Sequence, residues 1–256
     1  MRRALLLGAL TFYPLMASAA MAANQFSPEQ TAEIQTIVQE YLVANPTILE
    51  DAQSALNAKR EADEMVRVSS IVENNHKAIF ESPTSPVLGN PNGDVTVVEF
   101  LDYNCGYCKA SFPIIEGLIE SDPGVRVVIK ELPILSATSD AAAKAALSAA
   151  KQGKYKEYHA ALFALTNQPD LPALLDIAKA TGLDVNKWKA DLADPAVAAE
   201  IEANHALIRP LGIRGTPAFI VGNQLFPGAV DGEMLKTAVA KARAANAAKV
   251  QPAKAE

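Results

Sequence analysis

The sequence predicts an α/β domain with a helical insertion between its strands, preceded by a helical N-terminal extension. Three observations predict it. Two strand-like runs, residues 95–101 and 125–132, flank a helical stretch and form a strand–helix–strand unit. A third apolar region, Ala218 to Phe226, is split by Gly222-Asn223, a hairpin signal. Between the second strand and that hairpin, residues 140–208 read as helix throughout.

The 256-residue chain opens on Arg2 and Arg3, followed by mostly apolar residues to Met16. Ala17-Ser18-Ala19 and Ala20-Met21-Ala22 then offer small-residue cleavage sites. Residues 1–22 are therefore expected to be a signal peptide, cut near Ala19 to Ala23. The apolar run falls short of the roughly 20 residues a membrane-spanning helix needs, which weighs against a retained anchor. No cysteine lies near the cleavage region to take a lipid. The expectation is an exported, periplasmic protein, in a compartment where disulfides form and persist.

Residues 23–84 are expected to form a helical arm. Ser27 is placed to cap the first helix, with Pro28 at its first position and Gln30 completing a capping box. Ile34, Ile37, Val38, Tyr41 and Leu42 recur at helical spacing. Asn45-Pro46 interrupts, and Ile48, Leu49, Ala52, Ala55 and Leu56 make a second stripe. The stripes are too short for a sustained coiled coil. They call for burial on the same chain or against other subunits, and the arm is read as an oligomerisation region. The charged run 59–64 reads as a solvated face.

Residues 82–94 are dense in Pro, Gly, Asn and Ser and mark the boundary of the main domain, 85–245. Its first strand, residues 95–101, leads into a helix to about Glu120. Asp122-Pro123-Gly124 turns the chain into the second strand, which implies a parallel pair with a right-handed crossover. In the insertion, residues 141–150 are alanine-rich and 155–165 amphipathic; 171–180 ends at Gly182, and Asp184 and Asp194 start two more helices. After the hairpin, residues 232–244 read as a closing helix. Residues 246–256 form an alanine-rich tail, expected to be disordered.

The two cysteines, Cys105 and Cys108, sit in Cys105-Gly106-Tyr107-Cys108 at the first strand-to-helix junction. That position puts the first sulfur at a helix N-terminus, where free N–H groups and the helix dipole favour negative charge. The thiolate is the attacking species, so the reading is a thiol–disulfide exchange site. A purely structural disulfide is disfavoured, because so small a loop constrains the unfolded chain least. Structural zinc needs four ligands, and the chain adds only three scattered histidines, His76, His159 and His205. Each of these reads as an ordinary surface or helix residue. A Cu(I) half-site shared through a dimer stays open as an alternative, since thiolates suit that ion. With 29 acidic against 23 basic residues, net charge −6, the chain lacks the basic footprint of a nucleic-acid binder.

Three stretches carry a resemblance: Glu99-Phe100-Leu101-Asp102-Tyr103-Asn104-Cys105-Gly106-Tyr107-Cys108, Lys130-Glu131-Leu132-Pro133-Ile134-Leu135, and Gly212-Ile213-Arg214-Gly215-Thr216-Pro217. In their order they resemble the DsbA-like proteins, a thioredoxin fold with a helical insertion, over residues 85–245. The N-terminal extension and the Gly-Tyr dipeptide resemble the branch with the suppressor-of-copper-sensitivity protein C and Com1-type proteins. The resemblance implies a protein thiol:disulfide oxidoreductase whose redox-active group is the Cys105–Cys108 disulfide, with no other cofactor and no metal. It implies that Pro217 is a cis-proline beside the cysteines and that Thr216 presents its backbone to an extended substrate. It implies that Glu99 is a buried acid near the second cysteine, able to move a proton for the thiol that must attack. Gly106 and Tyr107 flank the nucleophile as substrate-binding positions.

Asp102, Tyr103 and Asn104 read as loop residues open to substrate or as turn formers, with Asn104 able to cap the cysteine helix. Glu131 is given no catalytic role and is expected to pair with a lysine. Trp188 reads as a packing residue, and Pro210 must kink or end the helix before the Gly-Thr-Pro loop. Gly106 and Tyr107 place no positive charge near Cys105, unlike the histidine that DsbA carries beside its second cysteine. The site is therefore expected to be less oxidising. Gly-Tyr is also the dipeptide of DsbC-type isomerases, and an oligomeric arm suits an isomerase. The expectation is an isomerase or reductase acting on cysteine-containing secreted proteins, recharged by a membrane redox partner and assembled as a homo-oligomer. A monomeric DsbA-type oxidase is the first alternative. A periplasmic copper-handling protein is the second, and an inherited fold without turnover the third.

Overall fold

The computed structural model describes residues 26–250; the expected signal segment 1–22 and residues 251–256 lie outside them. The chain divides into two compact units, residues 1–59 and 60–256. That division falls well before the expected boundary near residue 84.

The first unit holds α1 (Pro28–Ala44) and the start of α2 (Thr47–Asn74). Ser27 caps α1 with the full reciprocal capping box to Gln30, and Pro28 occupies the first turn. No residue of α1 is buried: Ile34, Ile37, Val38 and Tyr41 all face outward.

The second unit is built on a five-stranded sheet. The remaining elements are α3 (His76–Phe80), β1 (Val87–Gly89), β2 (Val95–Leu101), α4 (Gly106–Ser121), β3 (Val125–Glu131), α5 (Ala137–Ala150), α6 (Tyr155–Ala164), α7 (Leu171–Ala180), α8 (Val185–Asp191), α9 (Pro195–Leu211), β4 (Ala218–Val221), β5 (Gln224–Pro227) and α10 (Gly232–Val250). Strand order is β1-β3-β2-β4-β5, with β2 and β3 parallel and the other pairs antiparallel. The short edge strand β1 lies inside the stretch whose composition signals only turns. Its three residues are too few for a periodic signal.

Both faces of the sheet are covered, so β2 and β3 are buried almost without interruption. On one face Val97, Leu101, Val127, Ile129 and Phe219 pack with Cys108 and Ile115 of α4, the insertion helices, and Leu235 and Val239 of α10. On the other, Val98, Phe100, Val128 and Ile220 pack against Val68, Val72, Ile79 and Phe80, and against Leu207 and Leu211 of α9. Residues 68–80 therefore belong to the sheet's own core. Burying Val72, Ile79 and Phe80 is worth on the order of 5 kcal/mol, a large share of a domain's usual net stability.

Several expectations change here. α10 continues to Val250 in place of a tail starting at 246. Pro210 lies in the last turn of α9, which ends one residue later at Leu211, before the Gly-Thr-Pro loop; the cap is Gly212, whose φ of 74° is the left-handed geometry that favours glycine. Glu131 does not make the expected pair with a lysine among the described residues; its neighbour Lys130, on the second face, is the buried charge that meets an acid. Its Nζ donates to the Ala78 carbonyl at 2.6 Å and to Ser85 Oγ at 2.7 Å, and faces Glu200 at 3.8 Å. Trp188 is fully buried, its Nε1 donating to the Ala145 carbonyl at 3.0 Å, as a packing residue should.

Candidate active site

β2 ends at Leu101, and residues 102–104 form a tight turn that delivers Cys105 to the start of α4. Cys105 is itself the N-cap, with φ −83° and ψ 115°, and no side-chain oxygen caps that terminus. Its backbone N–H donates to the Asp102 carbonyl, and its own carbonyl accepts from Lys109, the first bond of the helix. A sulfur thus stands where a capping oxygen would otherwise meet the unpaired N–H groups. No acidic side chain lies in the first turn to oppose a thiolate.

Both cysteines are free thiols, Cys105 8% exposed and Cys108 fully buried. Cys105 Sγ donates to the Thr216 carbonyl at 3.1 Å. The Thr216–Pro217 bond is cis, and the carbonyl of Thr216 before it is the one the Cys105 sulfur meets. Cys108 lies one turn further on, in the core below. Burial pushes its thiol well up, with the nearby Cys105 and Glu99 adding to the effect. Gly106 leaves open space beside the nucleophile, and Tyr107 stands 71% exposed at the surface.

The turn is held by Asp102. Its carboxylate accepts from the backbone N–H groups of Asn104 at 2.8 Å, Ile134 at 2.9 Å and Leu135 at 3.0 Å. Asp102 is buried and therefore is not a substrate contact. Asn104 does not cap α4 either; its amide donates to Ser136, Thr138 and Ser139 at the start of α5. Asp102→Ala is expected to orphan three amides and cost about 3 kcal/mol, from hydrogen bonds to a charged acceptor. Urea unfolding would read this as a lowered midpoint.

Beneath the cysteines lies a buried acidic cluster. Glu99 and Glu131 sit on adjacent parallel strands, Glu99 opposite Ile129 and Leu101 opposite Glu131. The two carboxyls are therefore diagonal neighbours on the face that packs against Cys108. Burial raises Glu99 to about 8, and the charge of Glu131 adds to this. Burial also raises Glu131 to about 8, although hydrogen bonds from Tyr155 and Tyr103 pull the other way. Glu131 Oε1 accepts from Tyr155 at 2.7 Å and Tyr103 at 2.8 Å. Its Oε2 is buried without a partner, which favours the neutral acid. The Tyr103 hydroxyl also meets His159 Nδ1 at 2.7 Å. Burial lowers His159 to about 3, so the ring is neutral, packed among Tyr103, Phe112, Tyr155 and Phe163.

Of the sequence-predicted residues, Cys105, Cys108, Glu99, Thr216 and Pro217 converge on one place, with Gly106 and Tyr107 at its mouth. Glu131, Tyr155 and His159 were missed. Tyr103, which reads from sequence as open to substrate or as a turn former, sits in the turn and points its hydroxyl into the core. A usable signal existed for Glu131: Val125, Val127, Ile129 and Glu131 share one strand face by parity.

Residues 96–240 match the family model of the DSBA-like thioredoxin domain. The chain belongs to the DsbA-like thioredoxin family. Residues 30–63 match a second model, the copper resistance protein ScsC N-terminal domain. Among solved structures, this DsbA-like chain is similar to a thioredoxin-like oxidoreductase of Silicibacter pomeroyi, 46% identical with TM-score 0.65, covering 66% of this chain and 98% of that one. It is similar to Proteus mirabilis ScsC in a transitional conformation, 34% identical with TM-score 0.63, covering 86% and 98%. It is also similar to the thiol-disulfide exchange protein α-DsbA2 of Wolbachia pipientis, 34% identical with TM-score 0.65, covering 70% and 97%. A sodium/proton antiporter NhaA of Salinispora tropica is 33% identical over 158 residues, 61% of this chain and 24% of that protein. The chain spans about a quarter of the length of that curated relative. Among the described residues no helix is long and apolar enough to cross a membrane.

Proposed function

We propose that this protein exchanges disulfides with cysteine-containing exported proteins, entering the reaction reduced as an isomerase or reductase. The observation that carries the reading is the Cys105 sulfur at the uncapped start of α4 against the Thr216 carbonyl, with Cys108 sequestered one turn below. Cys105 attacks a substrate disulfide sulfur as the thiolate and forms a mixed disulfide, releasing the substrate's other sulfur as a thiolate. Cys108 then loses its proton and attacks Cys105. The substrate leaves reduced, or rearranged if its own thiol attacks first, and the enzyme is left as the Cys105–Cys108 disulfide when Cys108 acts. A membrane redox partner returns the pair to dithiol. Glu99, on the face packed against Cys108, accepts the proton of the resolving thiol.

The direction rests on charge. Tyr107 and Gly106 bring no cation to the sulfur, and the Lys109 ammonium is bonded to the Leu165 carbonyl. A reduced form stabilised by a nearby positive charge, the basis of strong oxidising power, is not built here. The exposed stripe of α1 supports assembly, and we place the homo-oligomer contact there and the protein in the periplasm.

One experiment tests the reading: refolding of a scrambled disulfide substrate, together with the reduction potential and the solution mass. The expected results are reactivation of the substrate, a potential well below the roughly −120 mV of DsbA, and a mass above that of one chain. Ile37→Glu with Tyr41→Glu should return the mass to a monomer and weaken isomerisation. A potential near the DsbA value from a monomer would replace this reading with the oxidase.

A further inference from the structure

A groove of about 790 Å³ opens beside the Thr216 loop, lined among others by Arg67, Arg209, Arg214, Gly215, Thr216 and Gly228. Its charge is uneven. Arg67 is committed: it pairs with Glu64 at 2.5 Å and donates to the Pro210 carbonyl at 2.7 Å, joining α2 to the end of α9. Arg209, in the last turn of α9, and Arg214, two residues before Thr216, are exposed and have no acidic partner among the described residues. Among the described residues the only acid lining the groove is Glu64, already taken by Arg67. The whole chain is acidic, at −6, so this positive groove runs against its composition. The small residues Gly212, Gly215, Ala218 and Gly228 leave room for backbone, and a Cβ added at Gly215 or Gly228 would meet nothing within 4 Å.

We propose that this groove receives the substrate chain next to its reacting cysteine and selects segments that carry Asp or Glu there, held by Arg209 and Arg214. The inference rests on the thiol–disulfide exchange reading above and names its substrate class. An extended segment whose sulfur reaches Cys105 must pass Thr216, whose carbonyl the Cys105 sulfur touches. From Thr216 the groove leads to the two guanidinium groups. Guanidinium forks match carboxylates in geometry as well as charge. Both groups stay solvated, so the selection acts on capture rate and fades with salt.

The test uses two short peptides, each with a single cysteine held as an aryl disulfide, differing only in Asp-Glu or Lys-Lys beside that cysteine. Reduced Cys105 attacks the peptide sulfur and releases the aryl thiolate, which is followed by absorbance. The acidic peptide is expected to react roughly fivefold faster at low salt, as two exposed charge pairs allow. That ratio should fall toward one in 0.5 M NaCl, a screening length of about 4 Å. Arg209→Glu with Arg214→Glu should invert the preference. Equal rates for the two peptides, or a preference that survives the double charge reversal, would overturn the groove's role. Uncharged hydroxyethyl disulfide serves as the reference substrate. If the wild-type protein fails to react with it, the exchange reading itself falls and takes the groove with it.

Discussion

Cys105→Ser is expected to abolish exchange, while Cys108→Ser leaves capture intact and accumulates mixed disulfides. The two sulfurs occupy different physical environments one helical turn apart. Cys105 is at the helix start, bonded to the Thr216 carbonyl; Cys108 is fully buried with its thiol pushed well up. A serine hydroxyl at 105 is a far weaker nucleophile and leaving group near neutral pH, so the rate should fall by at least about a thousandfold. With Cys108→Ser the first attack proceeds and nothing intramolecular resolves it. Non-reducing gels and intact mass should show a substrate adduct on Cys105 in this variant alone. Exchange that survives Cys105→Ser would remove the proposed mechanism.

Glu99→Gln is expected to slow the resolving step by about a hundredfold, the ordinary scale of a positioned proton acceptor. In the native protein that step should quicken as pH rises toward about 8, where Glu99 ionises, and Glu99→Gln should lose this inflection. Glu131→Gln should keep the inflection and move it to lower pH, because the charge of Glu131 is one of the causes that hold Glu99 up. Stability should respond in a linked way. Both acids are raised in the fold, so their contribution is full below the usual 4.5 and is lost as pH climbs to about 8. Over that window the native protein should lose more urea resistance than Glu131→Gln does. His159, lowered by burial, acts oppositely and loses its contribution as pH falls from 6.5 toward about 3. Comparing native and variant at each pH isolates the carboxyl effect. Stopped-flow release from a preformed mixed disulfide, run from pH 5 to 9, measures the resolving step. An unchanged profile in Glu99→Gln would end its role as the proton acceptor.

The strand–helix–strand unit, the hairpin at Gly222-Asn223 and the cap at Ser27 were legible because each is written in local spacing and turn chemistry. Glu131 was misread because an isolated acid at a strand end resembles an exposed one. Only the packing of α6 over that end supplies Tyr155 and His159 and seals the carboxyl from water. Asn104 was misread for a similar reason. It is a good cap by type, but Cys105 occupies the cap and α5 lies within reach of the amide.

By itself the sequence determined the fold class, a cysteine pair at a helix start, and an N-terminal arm with unsatisfied apolar stripes. These follow from periodicity, turn residues and cysteine spacing, all short-range along the chain. Only the tertiary structure decided that residues 68–80 close the second face of the sheet, that two acids and a neutral histidine share one buried network, and that unpaired arginines flank the Thr216 loop. Those facts depend on which distant segments exclude water from the same place, and burial of that kind leaves no mark on the spacing of neighbours.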